Sequence, residues 1–120
     1  MAIRIEQLGD VSVVVAEGMF KGGSETTELD DVLRKLMVEE KRPKILLDVT
    51  GTDFLGSSAI GVIGAAHGHA RDHKLNLWIC GMQRRVQAVF DLMQFGPELR
   101  VFESNREAIE ALRGIELDGR

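Results

Sequence analysis

Apolar positions change their period several times along this 120-residue chain, and each change predicts an element. Ile3 to Gln7 and Val11 to Glu17 read as two short strands, and Leu8, Gly9 and Asp10 between them predict an antiparallel opening hairpin. From Ser24 to Glu40 the period lengthens. Leu29, Val32, Leu33, Leu36 and Met37 fall at i, i+3, i+4, i+7 and i+8, the stripe of a surface helix covering a sheet, and Pro43 stops it. Ile45, Leu46, Leu47 and Val49 form an apolar run that predicts a strand buried on both faces. A turn then leads into a small-residue helix that begins with Ser57, Ser58, Ala59, Ile60 and Gly61 and ends near Asp72. Leu75 to Cys80 is the next strand. Gln83 to Phe95 is a helix with Val86, Val89, Phe90 and Met93 inward, and Val101 and Phe102 make a last short strand. A final helix follows Ser104, which forms a capping box with Glu107; Ile109 and Leu112 give it an inner face and Gly114 ends it.

Strands alternating with helices from residue 24 onward imply parallel pairing with right-handed crossovers, while the opening hairpin makes the sheet mixed. The fold class is therefore α/β, a single domain over residues 1–114 with a mixed sheet of four to five strands covered by about four helices. Residues 115–120 read as a flexible tail. With 44% hydrophobic and 28% charged residues the composition suits one globular core. The formal charge of −4 argues against nucleic acid as a partner. Its cations agree: Arg34, Lys35, Lys41, Arg42 and Lys44 are interleaved with or flanked by Asp30, Asp31, Glu39 and Glu40, and these charges read as a solvated helix face. The one cysteine, Cys80, has no internal disulfide partner and reads as a small buried hydrophobe. Met1 to Gln7 carries no apolar signal-peptide core, and no apolar run approaches the ~20 residues that span a bilayer, so a cytoplasmic setting is expected.

The chemistry concentrates where the buried strand runs into the small-residue helix. Ser57 and Ser58 stand at that helix start, where unpartnered backbone N–H groups and the macrodipole favour an anion. Two readings follow. Ser57 is a helix N-cap, worth about 1 kcal/mol, or it is a phosphoacceptor, with Ser58 as the alternative. Met19 and Phe20 raise the same choice between an exposed anchor for a partner and ordinary core for Phe20. Leu55, just before Gly56, is the stronger candidate for an apolar interface contact, and Lys21, Gly22 and Gly23 read as a flexible loop beside it. Gly61, Gly64 and Gly68 read as positions where the helix approaches a neighbour closely. His69 and His73 share a helix face next to Asp72 while His67 points elsewhere; two histidines are too few for a zinc site, so no metal is expected. Arg84 and Arg85, at a helix start, answer nearby acids or a partner. There is no phosphate-binding G-x-x-x-x-G-K-[ST] loop and no G-x-S-x-G elbow, so GSSAIG offers only a generic helix start, and neither a cofactor nor a catalytic residue is expected.

Taken together, DVTGTDFLGSSAIGVI resembles the signature of the STAS domain, the anti-anti-sigma factor family, whose members often read D-L-S-G-x-x-F-x-D-S-S-G-x-G-x-L here. Asp48, Thr50, Gly51, Phe54, Ser57, Ser58 and Gly61 match. The resemblance continues through LNLWICGMQRRVQAVFDLMQF, with Cys80, Val86, Phe90 and Asp91 at familiar spacings, and spans about residues 3 to 113.

That resemblance implies a partner-switching regulator, an anti-sigma factor antagonist with no enzymatic activity of its own. Ser57 takes the place of the serine that a partner phosphorylates, with Phe54, Leu55, Gly56, Ser57, Ser58, Met19 and Lys21 at the interface. The implied partners are an anti-sigma factor that is also a serine kinase of the histidine-kinase-like ATPase type and a phosphatase of the PP2C type. A homodimer is compatible with the same reading. Three positions depart from the family pattern. Gly56 stands where Asp usually precedes the serine, Ala59 replaces Gly, and an early Gly-Glu-x-Asp motif appears as Gly18, Met19, Phe20 and Lys21. The alternatives are a non-phosphorylated docking subunit of a larger assembly and a small-ligand or nucleotide-binding domain that uses the same helix start.

Overall fold

A computed structural model describes residues 3–93 and 99–114. The chain runs β1 (Ile3–Leu8), β2 (Val11–Ala16), β3 (Gly18–Phe20), α1 (Ser24–Arg34), β4 (Lys44–Asp48), β5 (Thr52–Leu55), α2 (Ser57–Asp72), β6 (Asn76–Cys80), α3 (Arg84–Met93), β7 (Val101–Phe102) and α4 (Asn105–Arg113). Five strands form one sheet in the order β1-β2-β4-β6-β7. The β1–β2 pair is antiparallel and the others are parallel, the mixed α/β architecture expected from the pattern. The expected end of α3 at Phe95 and the tail 115–120 lie outside the described residues.

Burial on both faces explains the strand sequences. Along β4, Ile45 and Leu47 enter one core with Val14, Ala16, Leu77 and Ile79, where α1 and α2 cover the sheet. Leu46 enters the opposite core with Val11, Val13, Val15, Trp78 and Cys80, closed by Ala108, Ile109 and Leu112 of α4. Successive side chains point to opposite faces, so a strand covered on both sides is apolar along its middle, here Ile45–Leu47, with the charged Lys44 and Asp48 confined to its ends. Gly9, at φ +65°, opens the two-residue turn between β1 and β2, where a left-handed residue matches the twist of the paired strands.

Several elements differ in detail from the sequence reading. The first helix does not stay α-helical to Glu40: Lys35–Glu39 is a π-helical turn, with the Glu40 amide donating to the Lys35 carbonyl at 2.9 Å. The widening leaves Leu36 and Met37 on the buried side with Leu29 and Leu33. Lys44 is not part of a solvated face. It opens β4 with its side chain 2% exposed, and its Nζ lies 3.0 Å from Asp10 Oδ2 in the hairpin turn, since an ammonium taken out of water requires a counter-charge. On α3 only Val86 and Phe90 are buried, whereas Val89 and Met93 are exposed. That helix packs against β5, so a narrower strip of it is covered.

Candidate functional site

The small sheet that the apolar pattern did not reveal builds the site. β3 and β5 pair in parallel outside the main sheet, with Gly18 opposite Thr52, Met19 opposite Phe54 and Phe20 opposite Leu55. The register slips between Gly18 and Met19, which leaves Asp53 as an extra residue on β5. Such a bulge resets the alternation of faces. Thr52 is buried and its hydroxyl donates to the Ala16 carbonyl at 2.8 Å, anchoring β5 to the end of β2. Past the bulge Phe54 turns outward and Leu55 inward.

This arrangement corrects the expectation for Leu55. Its side chain belongs to the core and is not offered to a partner. The exposed apolar pair is instead Met19 and Phe54, 46% and 42% exposed and directly opposite each other across the β3–β5 ladder. Phe20 is fully buried, the core alternative of the two readings.

Gly56 links this ladder to α2. Its amide donates to the Phe20 carbonyl at 2.8 Å, and its own carbonyl accepts from Ile60 at 3.0 Å as the first bond of the helix. A Cβ at this position would lie 3.2 Å from the Phe20 carbonyl oxygen and 3.3 Å from the Phe54 ring, so glycine fits the close approach of the two strands. An aspartate here would press on Phe54. Gly56, in extended conformation, is the N-cap residue, and Ser57 is the first residue of the helix proper.

Neither serine hydroxyl caps the helix. Both residues are exposed, and the first turn of α2 carries no acid. The two differ in surroundings. A Cβ on Gly22, which sits at φ +100°, would lie 3.3 Å from Ser58 Oγ, so Ser58 is turned against the β3–α1 loop. That loop is held by the Gly22 amide, which donates to Thr26 Oγ1 at 3.0 Å. Lys21 is exposed, and its Cα would lie 3.7 Å from a Gly56 Cβ. Met19, Lys21, Phe54, Gly56, Ser57 and Ser58 are thus contributed by two short strands, one loop and one helix start.

Sequence reasoning did not find the polar network that backs this site. At the end of β4 the Asp48 carboxylate accepts from the Thr50 hydroxyl at 2.6 Å, the Thr50 amide at 3.0 Å and Asn105 Nδ2 at 2.9 Å. Burial by itself would raise the Asp48 carboxyl, but the bonds from Thr50, Asn105 and the Cys80 thiol outweigh it and hold the group below its ordinary value. Burial, together with the Asp48 charge and its hydrogen bond, pushes the Cys80 thiol up to about 12. Cys80 is therefore a buried thiol and no nucleophile at neutral pH. Gln83 reaches Asp53 Oδ1 at 3.3 Å, so the start of α3 is tied to the bulge.

The remaining candidates lie elsewhere. His69 and His73 stack at 4.0 Å between ring centroids, and His67 is buried away from them. Among the described residues no group of three or more His, Cys, Asp or Glu could hold a metal ion. No described helix is long and apolar enough to cross a membrane. The expectation of close approach at Gly61 does not hold: it is exposed, and a Cβ there would meet nothing within 4 Å. A Cβ on Gly68 would meet only the Arg71 side chain, at 3.9 Å.

A family model described as the STAS domain matches residues 2–108. Among solved structures, the anti-sigma factor antagonist SpoIIAA of Bacillus in its unphosphorylated form superposes with a TM-score of 0.78 at 17% identity, covering 95% of this chain and 100% of that one. RsbS of Moorella thermoacetica, as a serine-to-glutamate variant, gives 0.79 at 12% identity over 94% of this chain and 96% of that one. An anti-sigma factor antagonist from Mycobacterium paratuberculosis gives 0.77 at 19% identity and 92% of both chains. A comparison with curated protein sequences finds no match.

Proposed function

Since the chain belongs to the STAS domain family, we propose that it acts as an anti-sigma factor antagonist or a related partner-switching regulator, controlled by phosphorylation of Ser57. The observation that carries this reading is the start of α2. There Gly56 takes the cap position and leaves the exposed Ser57 hydroxyl without a capping bond, next to the exposed Met19–Phe54 pair. SpoIIAA, which shares the fold, has been solved in unphosphorylated and phosphorylated forms, and this supports the reading.

The switch works through charge. Unmodified, the surface offers Met19 and Phe54 as apolar anchors around two neutral hydroxyls, and the partner is an anti-sigma factor with kinase activity of the histidine-kinase-like ATPase type. Phosphate adds about −1.5 to −2 charge at Ser57. The domain tolerates it, because the free N–H groups and dipole of α2 face it and no acid in the first turn opposes it. A partner pressed against the same spot must desolvate that charge, and a difference of about 2.7 kcal/mol changes affinity roughly a hundredfold. A PP2C-type phosphatase restores binding, and the domain itself performs no chemistry.

The test compares wild type, Ser57→Ala, Ser58→Ala and Ser57→Asp as baits in the protein's own cell extract, with mass spectrometry of partners and of the 45–61 peptide. A histidine-kinase-like ATPase held by wild type and both alanine variants, released about a hundredfold by Ser57→Asp, with phosphate on Ser57 of the unbound pool, is the expected result. Partners indifferent to Ser57→Asp together with an unmodified peptide would assign a docking subunit instead. Stabilisation of the isolated chain by nucleotide, about 2.7 kcal/mol at a hundred times the dissociation constant, would assign a ligand-binding domain.

A further inference from the structure

We infer that the edge strand β1 is a self-association surface, on which a second copy of this chain pairs antiparallel about a two-fold axis through Ile5. β1 is the outermost strand on its side of the sheet, and its six residues pair with β2 without a bulge. Leu8 and Val11 flank a two-residue turn, so they form the closing hydrogen-bonded pair of the hairpin. By alternation Arg4, Glu6 and Leu8 bond to β2, while Ile3, Ile5 and Gln7 direct their backbone N–H and C=O groups to the other side, where Ile5 and Gln7 are exposed and Ile3, 4% exposed, is covered. Among the described residues no backbone hydrogen bond from another element reaches those outward groups. An unprotected row of donors and acceptors is a template for another strand, and natural edges are usually blunted by proline, bulges or awkward charges.

Here the charges select one register. The outward-facing residues of the two copies must pair with each other, so the axis can fall only at a residue position of β1. An axis at Arg4 would set Arg4 against the second copy's Arg4, and an axis at Glu6 would set like carboxylates together. Within its own chain Arg4 Nε lies 3.3 Å from Glu6 Oε2 and its Nη1 3.2 Å from Glu17 Oε1, exposed ion pairs worth little in water. With the axis at Ile5, Arg4 also lies opposite the second copy's Glu6, and Glu6 opposite its Arg4. Ile5, 45% exposed, meets its own counterpart, and Ile3 faces Gln7. Both Arg4–Glu6 contacts fall at non-hydrogen-bonded positions, where facing side chains come closest. The sequence Arg4-Ile5-Glu6 is thus complementary to itself read backwards about its centre, as a two-fold interface requires. The edge shares no residue with the Met19, Phe54 and Ser57 surface, so pairing and partner switching are tested separately.

Sedimentation equilibrium of the full chain over a concentration series decides the matter. Wild type is expected to be a dimer. Arg4→Glu and Glu6→Arg are each expected to weaken it at least about tenfold, since each reverses two symmetry-related contacts. The equimolar mixture of Arg4→Glu and Glu6→Arg chains is expected to associate again, because in that pair every charge meets its opposite. Arg4 and Glu6 side chains are 58% and 47% exposed, and far-UV circular dichroism confirms that each variant folds. A wild type that is monomeric throughout, a dimer indifferent to both single reversals, or a mixture that stays monomeric overturns the proposal.

Discussion

Two helices of this domain begin beside a serine, and the two serines are used in opposite ways. Ser104, in extended conformation before α4, accepts a hydrogen bond from the Glu107 amide at 3.2 Å, and the next residue, Asn105, is bound to Asp48 at the end of β4. Ser57 begins α2 one position later relative to its cap, because Gly56 holds that place, and its hydroxyl is left over. One helix start is fastened into the sheet, and the other presents its polar groups to whatever approaches. A serine at a helix start therefore means little by itself. Whether the residue before it supplies the cap decides if the hydroxyl is structural or available.

The comparison can be broken at the fastened end. Gly81 sits at φ +81°, and a Cβ there would collide with Thr50, the residue whose hydroxyl holds Asp48. Gly81→Ala is expected to cost more than about 2 kcal/mol in urea unfolding, through left-handed strain together with the displaced Thr50. Asp48→Ala follows at about 2 kcal/mol, since it strands the Thr50 hydroxyl and Asn105 amide without their acceptor. The pH dependence of the same site has a fixed sign. The folded Asp48 carboxyl titrates below its unfolded value of 3.8, so its contribution is complete above that value and is lost as pH falls through the depressed folded value. Asp48→Asn should remove that part of the acid limb from a stability-against-pH series.

Smaller effects sharpen the contrast between the serines. Ser104→Ala is expected to destabilise by about 1 kcal/mol, the ordinary worth of a cap. Ser57→Ala should change stability by less than about 0.5 kcal/mol, as for an exposed residue with no bond to lose. Equal losses in the two variants, read by thermal or urea unfolding, would refute the division of roles drawn here.

What the sequence made legible was whatever rests on neighbours along the chain. The stripe from Leu29 to Met37, the doubly buried run of β4 and the Ser104–Glu107 cap each involve a few consecutive turns or residues. The start of α2 at Ser57 was legible for the same reason. The β3–β5 ladder was not, because strands of three and four residues carry too little pattern, and the Asp53 bulge breaks what alternation exists. That break puts Leu55, expected at the interface, in the core and leaves Phe54 on the surface. Asp48 and Asn105 lie 57 residues apart, and no local pattern announces their bond. Lys44 reads as a solvated charge for a related reason: its counter-charge, Asp10, sits in the opening hairpin, far away in sequence.

The β3–β5 ladder also bears on the order of assembly. Met19 and Phe54 flank α1 and β4 in the chain, so they face each other only when that intervening segment has folded back, a loop closure that the parallel pairing of β2 with β4 also requires. A truncated or half-folded chain cannot display the two side chains opposite each other. Under the proposed function the surface is thus a report on completion: a partner that docks on Met19 and Phe54 would engage finished molecules and pass over those still folding.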